Sequence, residues 1–210
     1  MTIRIVIADD HEIVRIGLRG VLAAAGILVV GESTSGIEAF NLAKQLCPDV
    51  VLLDVRMPAG DGISCLSRLK LELPQVQVLM FSGNDNPTYI ARSAALGAAG
   101  YLTKDVSAEV LVDVIRKVAS GDWFWPRETL RRVTGALIAP KNGADTNVQL
   151  TKREDDVLRQ LANGLTNKEI AQSLGISYET VKEHVQHILR KVGVTDRTQA
   201  AVWAVRNQLV

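Results

Sequence analysis

Short apolar runs alternate with helix-length segments over the first 120 residues of the chain. The runs are rich in Val, Ile and Leu and are bounded by polar or turn-forming residues, as is typical of buried strands. Because strands that alternate with helices form parallel sheets, the pattern predicts a flavodoxin-like α/β domain, a (βα)5 fold, over residues 1–120. The predicted strands cover residues 3–8, 28–30, 50–53, 78–81 and 100–102, and the predicted helices residues 14–25, 37–46, 63–71, 88–96 and 108–119.

The last part of the chain predicts a small all-α domain over residues 148–210. Thr151 and Thr166 are each followed three residues later by a glutamate, which is the capping-box pattern that begins helices. The second of these helices is short and precedes a longer periodic helix over residues 178–192, the order of a helix-turn-helix motif. A final helix is predicted over residues 198–207.

Residues 121–147 are predicted to link the two domains. An aromatic cluster stands at residues 123–125, and a helix is predicted over residues 127–138. The Pro, Gly and Asn content of residues 139–145 indicates an exposed loop.

Composition and charge narrow the function classes only a little. A chain of 210 residues, 47% hydrophobic and 22% charged, can form two cores and is not expected to be globally disordered. The net charge of +1, with nine basic and seven acidic residues after position 147, does not by itself identify a nucleic-acid binder. Cys47 and Cys65 lack metal-ligand or disulfide spacing, and the sequence shows neither a leader pattern nor an apolar stretch approaching about 18 residues. A cytoplasmic protein without a membrane segment is therefore expected.

Polar side chains follow the predicted strands at the points where the strands end. Because the carboxyl ends of parallel strands meet at one edge of a sheet, these side chains are expected in one crevice. They belong to Asp9, Asp10, Asp54, Ser82 and Lys104.

The three carboxylates of this crevice repel one another unless a cation neutralises them. Mg²⁺ is the predicted cofactor, because it takes oxygen ligands, keeps several waters and bridges to phosphate oxygens. Asp54 ends the central strand and is the predicted nucleophile on a phosphoryl donor. The Lys104 ammonium and a hydroxyl would then bind the phosphoryl oxygens.

Each of these residues also has an ordinary structural interpretation. An aspartate or a serine before a helix is often an N-cap, a single lysine is most often solvated, and Tyr101 alone would be a core residue. Their joint placement at successive strand ends favours the phosphoryl site. His11 is interpreted as a first-turn residue and is given no role.

Four motifs of residues 1–120 are shared with a known family. They are Asp9-Asp10, Asp54-Val55-Arg56-Met57-Pro58 with Gly60-Asp61-Gly62, Ser82, and Tyr101-Leu102-Thr103-Lys104. In these motifs the segment resembles the receiver domain of two-component response regulators. The resemblance implies that Asp54 accepts a phosphoryl group from the phosphohistidine of a sensor histidine kinase.

The resemblance also implies the ligands of the metal. Asp10, Asp54 and the backbone carbonyl of Arg56 would coordinate Mg²⁺, with Asp9 acting through a water. Lys104 would bind the phosphoryl group. The protein would not be an enzyme for another substrate, although it would take part in its own phosphorylation and dephosphorylation.

Ser82 and Tyr101 match the switch pair of the same family. The resemblance implies that the hydroxyl moves toward the phosphoryl group while the aromatic ring turns inward. Gly83 stands where the family more often has Ala, a difference expected to loosen the loop after the fourth strand.

The long helix over residues 178–192 has one apolar and one polar face. A polar face of this kind can enter the major groove, where Lys donates to guanine, Gln pairs with adenine and Glu accepts from cytosine. It is also a common form of solvated helix surface. Thr180, His184 and His187 lie at its edges, where they are expected to reach phosphates. The inward stripe comprises Val181, Val185, Ile188, Leu189 and Val192, and the outward stripe comprises Glu179, Lys182, Glu183, Gln186 and Arg190.

The helical part of the chain carries the motifs of a second family. They are Leu150-Thr151-Lys152-Arg153-Glu154, the segment 162–171, Leu174-Gly175-Ile176-Ser177, Thr180-Val181-Lys182-Glu183-His184 and Lys191-Val192-Gly193-Val194. In these motifs residues 147–210 resemble the LuxR/NarL-type DNA-binding domain. The resemblance implies that Lys182, Glu183 and Gln186 read bases of double-stranded promoter DNA, with Glu183 shaping specificity.

Together the two resemblances imply a response regulator of the NarL/FixJ type, in which phosphorylation of Asp54 switches DNA binding and transcription. The implied partners are a sensor histidine kinase, promoter DNA and RNA polymerase, with a homodimer forming on phosphorylation or on DNA. Four residues of the final helix are candidates for the dimer contact. The alternative is that these residues complete the core of the helical domain. They are Ala201, Val202, Trp203 and Val205.

Three other functions are compatible with parts of the sequence. An aspartyl-phosphate phosphohydrolase would share the nucleophile and the metal, but phosphatases of the haloacid dehalogenase type carry a second acid where this chain has Arg56. A ligand-sensing LuxR-type regulator would need a small-molecule pocket for which the first 120 residues show no signature. The third is a receiver that acts through protein contacts while its DNA-binding domain stays silent.

Overall fold

The computed structural model describes residues 2–57, 62–83, 85–125, 148–207 and 209. The chain forms two units. The first comprises Met1–Asp85 and Leu96–Trp125, and the second Asn86–Ala95 and Pro126–Val210. The helix predicted over residues 127–138 lies outside the described residues.

The first unit is built on a parallel sheet. Its strands are β1 (Arg4–Ala8), β2 (Leu28–Ser33), β3 (Val50–Leu53), β4 (Gln77–Ser82) and β5 (Gly100–Thr103). They are hydrogen-bonded in the order β2-β1-β3-β4-β5. The order changes direction between β1 and β3, which places the switch-point crevice there. The predicted flavodoxin-like fold is confirmed.

A helix follows each strand of the sheet. Two of these helices have serine N-caps: Ser35 accepts a hydrogen bond from the Glu38 amide, and Ser107 accepts one from the Val110 amide. Such caps satisfy backbone donors that the first helical turn leaves unpaired. The helices are α1 (Glu12–Ala24), α2 (Gly36–Leu46), α3 (Gly62–Glu72), α4 (Pro87–Ala95) and α5 (Ala108–Ala119).

The central strand β3 is buried at each of its positions. It pairs with β1 on one side and β4 on the other. A strand enclosed in this way is apolar throughout instead of alternating, which explains the sequence Val-Val-Leu-Leu. Because Ala8 pairs with Leu53, the residues that follow them, Asp9 and Asp54, leave the sheet side by side.

The second unit contains the predicted helix-turn-helix. Its helices beyond α4 are α6 (Lys152–Ala162), α7 (Asn167–Leu174), α8 (Tyr178–Val192) and α9 (Arg197–Arg206). Both predicted capping boxes are present, at Thr151 with Glu154 and at Thr166 with Glu169. None of the helices in the described part of the chain combines the length and the apolarity that crossing a bilayer requires.

Helix α4 packs against α9 within this unit. Val202 of α9 is buried in contact with Ala91 of α4, and Nδ2 of Asn86 donates to the Gly164 carbonyl at 3.2 Å. Ala201 lies in the helical core. Two of the four residues considered for pairing are therefore covered by this chain itself.

Candidate functional site

Lys104 connects two of the carboxylates that the sequence places at the edge of the sheet. Its Nζ atom lies 2.6 Å from Oδ2 of Asp9 and 2.6 Å from Oδ2 of Asp54. The two aspartate side chains are only 3% and 5% exposed. The Lys104 amide donates to the Ser82 carbonyl at 3.0 Å, so the lysine directly extends the pairing of β4 with β5.

The charges of this cluster determine the ionisation of the lysine. Burial would lower the pKa of Lys104, but hydrogen bonds and charges from Asp54 and Asp9 outweigh burial and raise that pKa. Lys104 therefore stays positively charged at neutral pH. Its single charge offsets one of the two carboxylates that it contacts.

Backbone groups and one arginine orient the two buried aspartates. The His11 amide donates to Oδ1 of Asp9 at 3.0 Å, and the Arg56 amide donates to Oδ1 of Asp54 at 3.4 Å. The Arg15 guanidinium donates to the Asp9 carbonyl at 2.8 Å. Each carboxylate is thus held by a backbone amide at one oxygen and by the lysine at the other.

Asp10 and His11 complete a set of potential metal ligands with the two buried aspartates. One ligand atom from each of Asp9, Asp10, His11 and Asp54 lies within 4.8 Å of the others. Oδ1 of Asp10 is buried, and no hydrogen bond of ordinary geometry reaches it from the described residues. Three carboxylates gathered in this way fit a hard divalent cation such as Mg²⁺.

Gly62 lies in unusually close contact with the backbone of Asp54. A Cβ atom at this position would stand 1.8 Å from the Asp54 carbonyl oxygen. Helix α3 begins at this glycine, whose amide donates to the Val55 carbonyl at 3.0 Å. Only glycine lets the chain return so close behind Asp54. The sequence motif contains this glycine, while Pro58, Gly60 and Asp61 of the same motif lie outside the described residues.

The predicted switch residues lie on neighbouring strands. Ser82 ends β4, and Tyr101 lies in β5, where it pairs with Met80. Both side chains are buried, at 2% and 3% exposure. A Cβ atom at Gly83 would meet no described atom within 4 Å, and this glycine is not among the positive-φ residues. Alanine would therefore fit in its place.

Helix α8 presents the predicted polar face to solvent. Lys182, Glu183, Gln186 and Arg190 are exposed, whereas Thr180 and His184 are half-buried. The opposite face packs into the helical core, with Val181 and Ile188 fully buried. Ser177 caps the helix by accepting a hydrogen bond from the Thr180 amide, and Gly193 ends it in a left-handed conformation.

An ion pair with a buried glutamate joins α8 to α6. Nζ of Lys191 lies 2.6 Å from Oε2 of Glu154, which is 4% exposed, and 3.3 Å from the Gln149 carbonyl. Burial would raise the pKa of Glu154, but hydrogen bonds from Lys191 and Thr151 lower it to about 2. Glu154 therefore caps the start of α6 and also holds α8 against α6 through Lys191.

Sequence reasoning missed two features of the site. His11 was given no role, although its Nδ1 lies 2.8 Å from Oδ1 of Asp10; the available signal was its position next to two acids. The requirement for glycine at position 62 depends on the path of the loop, which the motif alone does not describe.

Two aspartates joined by one lysine lie at the switch point of a flavodoxin-like sheet, where proteins of this fold bind ligands, and a helix-turn-helix is a DNA-binding motif. The family model "Response regulator receiver domain" matches residues 5–116, and the model "Bacterial regulatory proteins, luxR family" matches residues 148–204. The chain belongs to the response-regulator family, with a LuxR-type DNA-binding domain.

Individual relatives resemble the chain over nearly its whole length. The transcriptional regulatory protein LnrK of Bacillus subtilis is 40% identical over 213 residues, with 97% of each chain covered. The response regulator protein VraR of Staphylococcus aureus is 37% identical over 211 residues, with 100% of each covered. RcsB from Salmonella enterica serovar Typhimurium, solved bound to promoter P1flhDC in the presence of phosphomimetic BeF3⁻, matches with a TM-score of 0.64 and 26% identity, covering 99% of this chain and 100% of that one.

Proposed function

We propose that this response regulator is switched by phosphorylation of Asp54, which controls sequence-specific DNA binding and transcription. The observation that carries the proposal is the 2.6 Å contact between Nζ of Lys104 and Oδ2 of Asp54. An ammonium held there stays within reach of a phosphoryl group bonded to that carboxylate. The family supports a sensor histidine kinase as the donor.

The transfer itself is a single substitution at phosphorus. An Asp54 oxygen forms the new P–O bond while the P–N bond to the donor histidine breaks, and the electron pair returns to the imidazole nitrogen. Lys104 binds the phosphoryl oxygens and stabilises their charge. The chain in this way takes part in its own phosphorylation and dephosphorylation without acting on another substrate.

The residues around Asp54 also fit a bound Mg²⁺. Asp10, Asp54 and the Arg56 carbonyl would hold the ion, with Asp9 acting through a water. When bound, Mg²⁺ supplies the positive charge that offsets the carboxylates and the phosphoryl oxygens. The closeness of ligand atoms from Asp9, Asp10 and Asp54, which lie within 4.8 Å of one another, supports this assignment.

Ser82 and Tyr101 would transmit the phosphorylated state. The Ser82 hydroxyl would bind a phosphoryl oxygen, and the Tyr101 ring, which is already buried in this structure, would be held in that inward position. Helix α4 begins five residues after Ser82, so a movement of this serine reaches α4 through a short loop. The charge added by phosphorylation of Asp54 would thus shift the population between two conformations of the protein.

Helix α8 would be the DNA-reading element. Lys182, Glu183 and Gln186 would contact base edges in the major groove of promoter DNA, while Thr180, His184 and Arg190 complete the contact surface. The similar protein RcsB has been solved bound to promoter DNA, which supports DNA binding by this chain. A homodimer on paired half-sites, acting on RNA polymerase, is the proposed output.

Phosphoryl labelling of intact protein tests the proposal. Wild type incubated with acetyl phosphate or phosphoramidate and Mg²⁺ should gain one phosphoryl group by mass spectrometry, whereas Asp54→Asn should gain none. Asp113→Asn, which removes an exposed carboxylate on α5, is the matched control and should be labelled like wild type. Equal labelling of Asp54→Asn and wild type would reject the proposal. Turnover of a generic phosphomonoester would instead indicate the phosphohydrolase.

A further inference from the structure

Arg15 connects helix α1 to the ends of two strands of the sheet. Its guanidinium donates through Nη1 to the Asp9 carbonyl at 2.8 Å, directly after β1. Its Nε lies 3.6 Å from Oε2 of Glu32 in β2, and the side chain is only 15% exposed. Two nitrogens of one planar group thus contact two different acceptors, which a guanidinium can do because its donors are arranged as a rigid fork.

This contact fixes the backbone of Asp9 where β1 ends. The Asp9 amide donates to the Ser33 carbonyl at 3.1 Å, which continues the pairing of β1 with β2. The Asp9 carbonyl accepts from Arg15, whose guanidinium is next to Glu32. Because Glu32 and Ser33 are consecutive residues of β2, this strand holds the amide of Asp9 directly and its carbonyl through Arg15.

Asp9 passes this constraint on to the residue that is phosphorylated. Oδ2 of Asp9 lies 2.6 Å from Nζ of Lys104, and the same nitrogen lies 2.6 Å from Oδ2 of Asp54. A rotation of the peptide after Asp9 would displace the carboxylate and with it the ammonium. The position of Lys104 beside Asp54 therefore depends on the contact that Arg15 makes behind Asp9.

We infer that Arg15 is a positioning residue for phosphoryl transfer to Asp54. It holds Asp9, and through Asp9 the Lys104 ammonium, in the geometry that the transfer requires. The inference rests on the proposed function and adds a residue outside the carboxylate cluster to it. Glu32 orients the guanidinium from the other side.

Two competing interpretations assign Arg15 a less specific role. If its charge alone matters, Arg19→Met should slow the transfer equally, because Nη1 of Arg19 pairs with the same glutamate at 2.9 Å from a side chain that is 54% exposed. If stability alone matters, so should Ser107→Ala, which removes the N-cap of α5. A positioning role predicts that both control variants are labelled at the rate of wild type.

The rate of phosphoryl labelling of the full chain, with phosphoramidate and Mg²⁺, tests the inference. Circular dichroism first establishes that each variant is folded under the conditions of the assay. Arg15→Met keeps a long side chain and removes its donors. It should be labelled about 10–100-fold more slowly than wild type, because a misplacement of about 1 Å can cost about 100-fold in rate.

Two further variants separate hydrogen bonding from packing. Arg15→Lys keeps a donor on a chain of similar length but lacks the fork, so it should recover part of the rate that Arg15→Met loses. Glu32→Gln leaves Arg15 in place without the carboxylate that orients it, and should be labelled more slowly than Arg19→Met. This variant decides the question if Arg15→Met does not fold.

The inference is overturned if Arg15→Met is labelled as fast as Arg19→Met, or if Ser107→Ala is slowed as much as Arg15→Met. It also fails if Arg15→Lys is as slow as Arg15→Met, because the side chain would then act by packing. In each of these cases labelled wild type leaves the proposed function standing. If wild type itself is not labelled, the proposed function fails and the inference fails with it.

Discussion

Nζ of Lys104 lies 2.6 Å from Oδ2 of Asp54, although 50 positions separate the two residues in the sequence. The same nitrogen is equally close to Asp9, so one ammonium joins the ends of β1, β3 and β5. The ammonium offsets part of the cost of burying the two carboxylates together, because a buried negative charge needs a partner.

Removing the Lys104 ammonium should destabilise the first unit. Lys104→Ala leaves two buried carboxylates without their cation, and loss of one partner of a buried pair costs about 3–5 kcal/mol. Urea unfolding should show a loss of this order, and added Mg²⁺ should recover part of it. The control is Arg19→Ala, which removes an exposed partner of Glu32 and should cost less than about 1 kcal/mol. Equal losses in the two variants would contradict the bridging role of Lys104.

Replacing either of two glycines near the site by alanine should change the stability of the protein, but in opposite directions. Gly62→Ala places a Cβ 1.8 Å from the Asp54 carbonyl oxygen, so α3 or the loop must move. Overpacking of this kind typically costs about 1–3 kcal/mol, and phosphoryl labelling of Asp54 should fall with it. Gly83→Ala meets no described atom within 4 Å and should leave stability unchanged or raise it by up to about 1 kcal/mol. Thermal unfolding of both variants, with labelling, measures the contrast; a Gly62→Ala protein of wild-type stability would disprove the close approach.

The ion pair of Glu154 with Lys191 should make the helical unit sensitive to acid. The pKa of Glu154 falls from 4.5 to about 2 on folding, so the ionised form stabilises the fold above pH 4.5. That contribution should be lost as the pH falls from 4.5 toward 2. Glu154→Gln should be less stable than wild type at neutral pH, and the difference should shrink across this window. Helicity during acid titration gives the measurement, and a constant difference from pH 7 to pH 2 would contradict the prediction.

Substitutions on α8 should separate base reading from phosphate contact. Lys182→Ala should lose about 1–3 kcal/mol of discrimination between the target and single-base variants, because a base contact is removed. Thr180→Ala should weaken binding to all sequences by a similar factor, since a phosphate contact carries no sequence information. Both are measured by titration of labelled duplexes at fixed salt. An unchanged site preference in Lys182→Ala would contradict the proposed orientation of the helix.

Most of the fold could be predicted because its signals are local. The apolar runs that become strands are short and uninterrupted, and the capping boxes at Thr151 and Thr166 mark helix starts within single turns. The packing of α4 against α9 was not predicted, because Ala91 and Val202 are separated by more than 100 residues and neither carries a pairing signal.

Only part of the candidate site could be predicted from the sequence, because only part of it depends on the order of strands and helices. Strand ends place residues at a common edge, so the proximity of Asp54 and Lys104 follows from the order of the elements. The contact of His11 with Asp10 depends on side-chain torsions, which strand and helix patterns do not determine. The requirement for Gly62 depends on how the chain turns back after β3, which is likewise a property of the loop.

The pairing of β3 is set from both sides, since Val51 faces Val6 in β1 and Val78 in β4. One residue inserted into this strand would carry Asp54 about 3.3 Å farther along and turn its side chain to the opposite face of the sheet. Exchanges among Val, Ile and Leu leave that position unchanged. Related chains are therefore expected to vary in the composition of this segment while keeping its length of four residues.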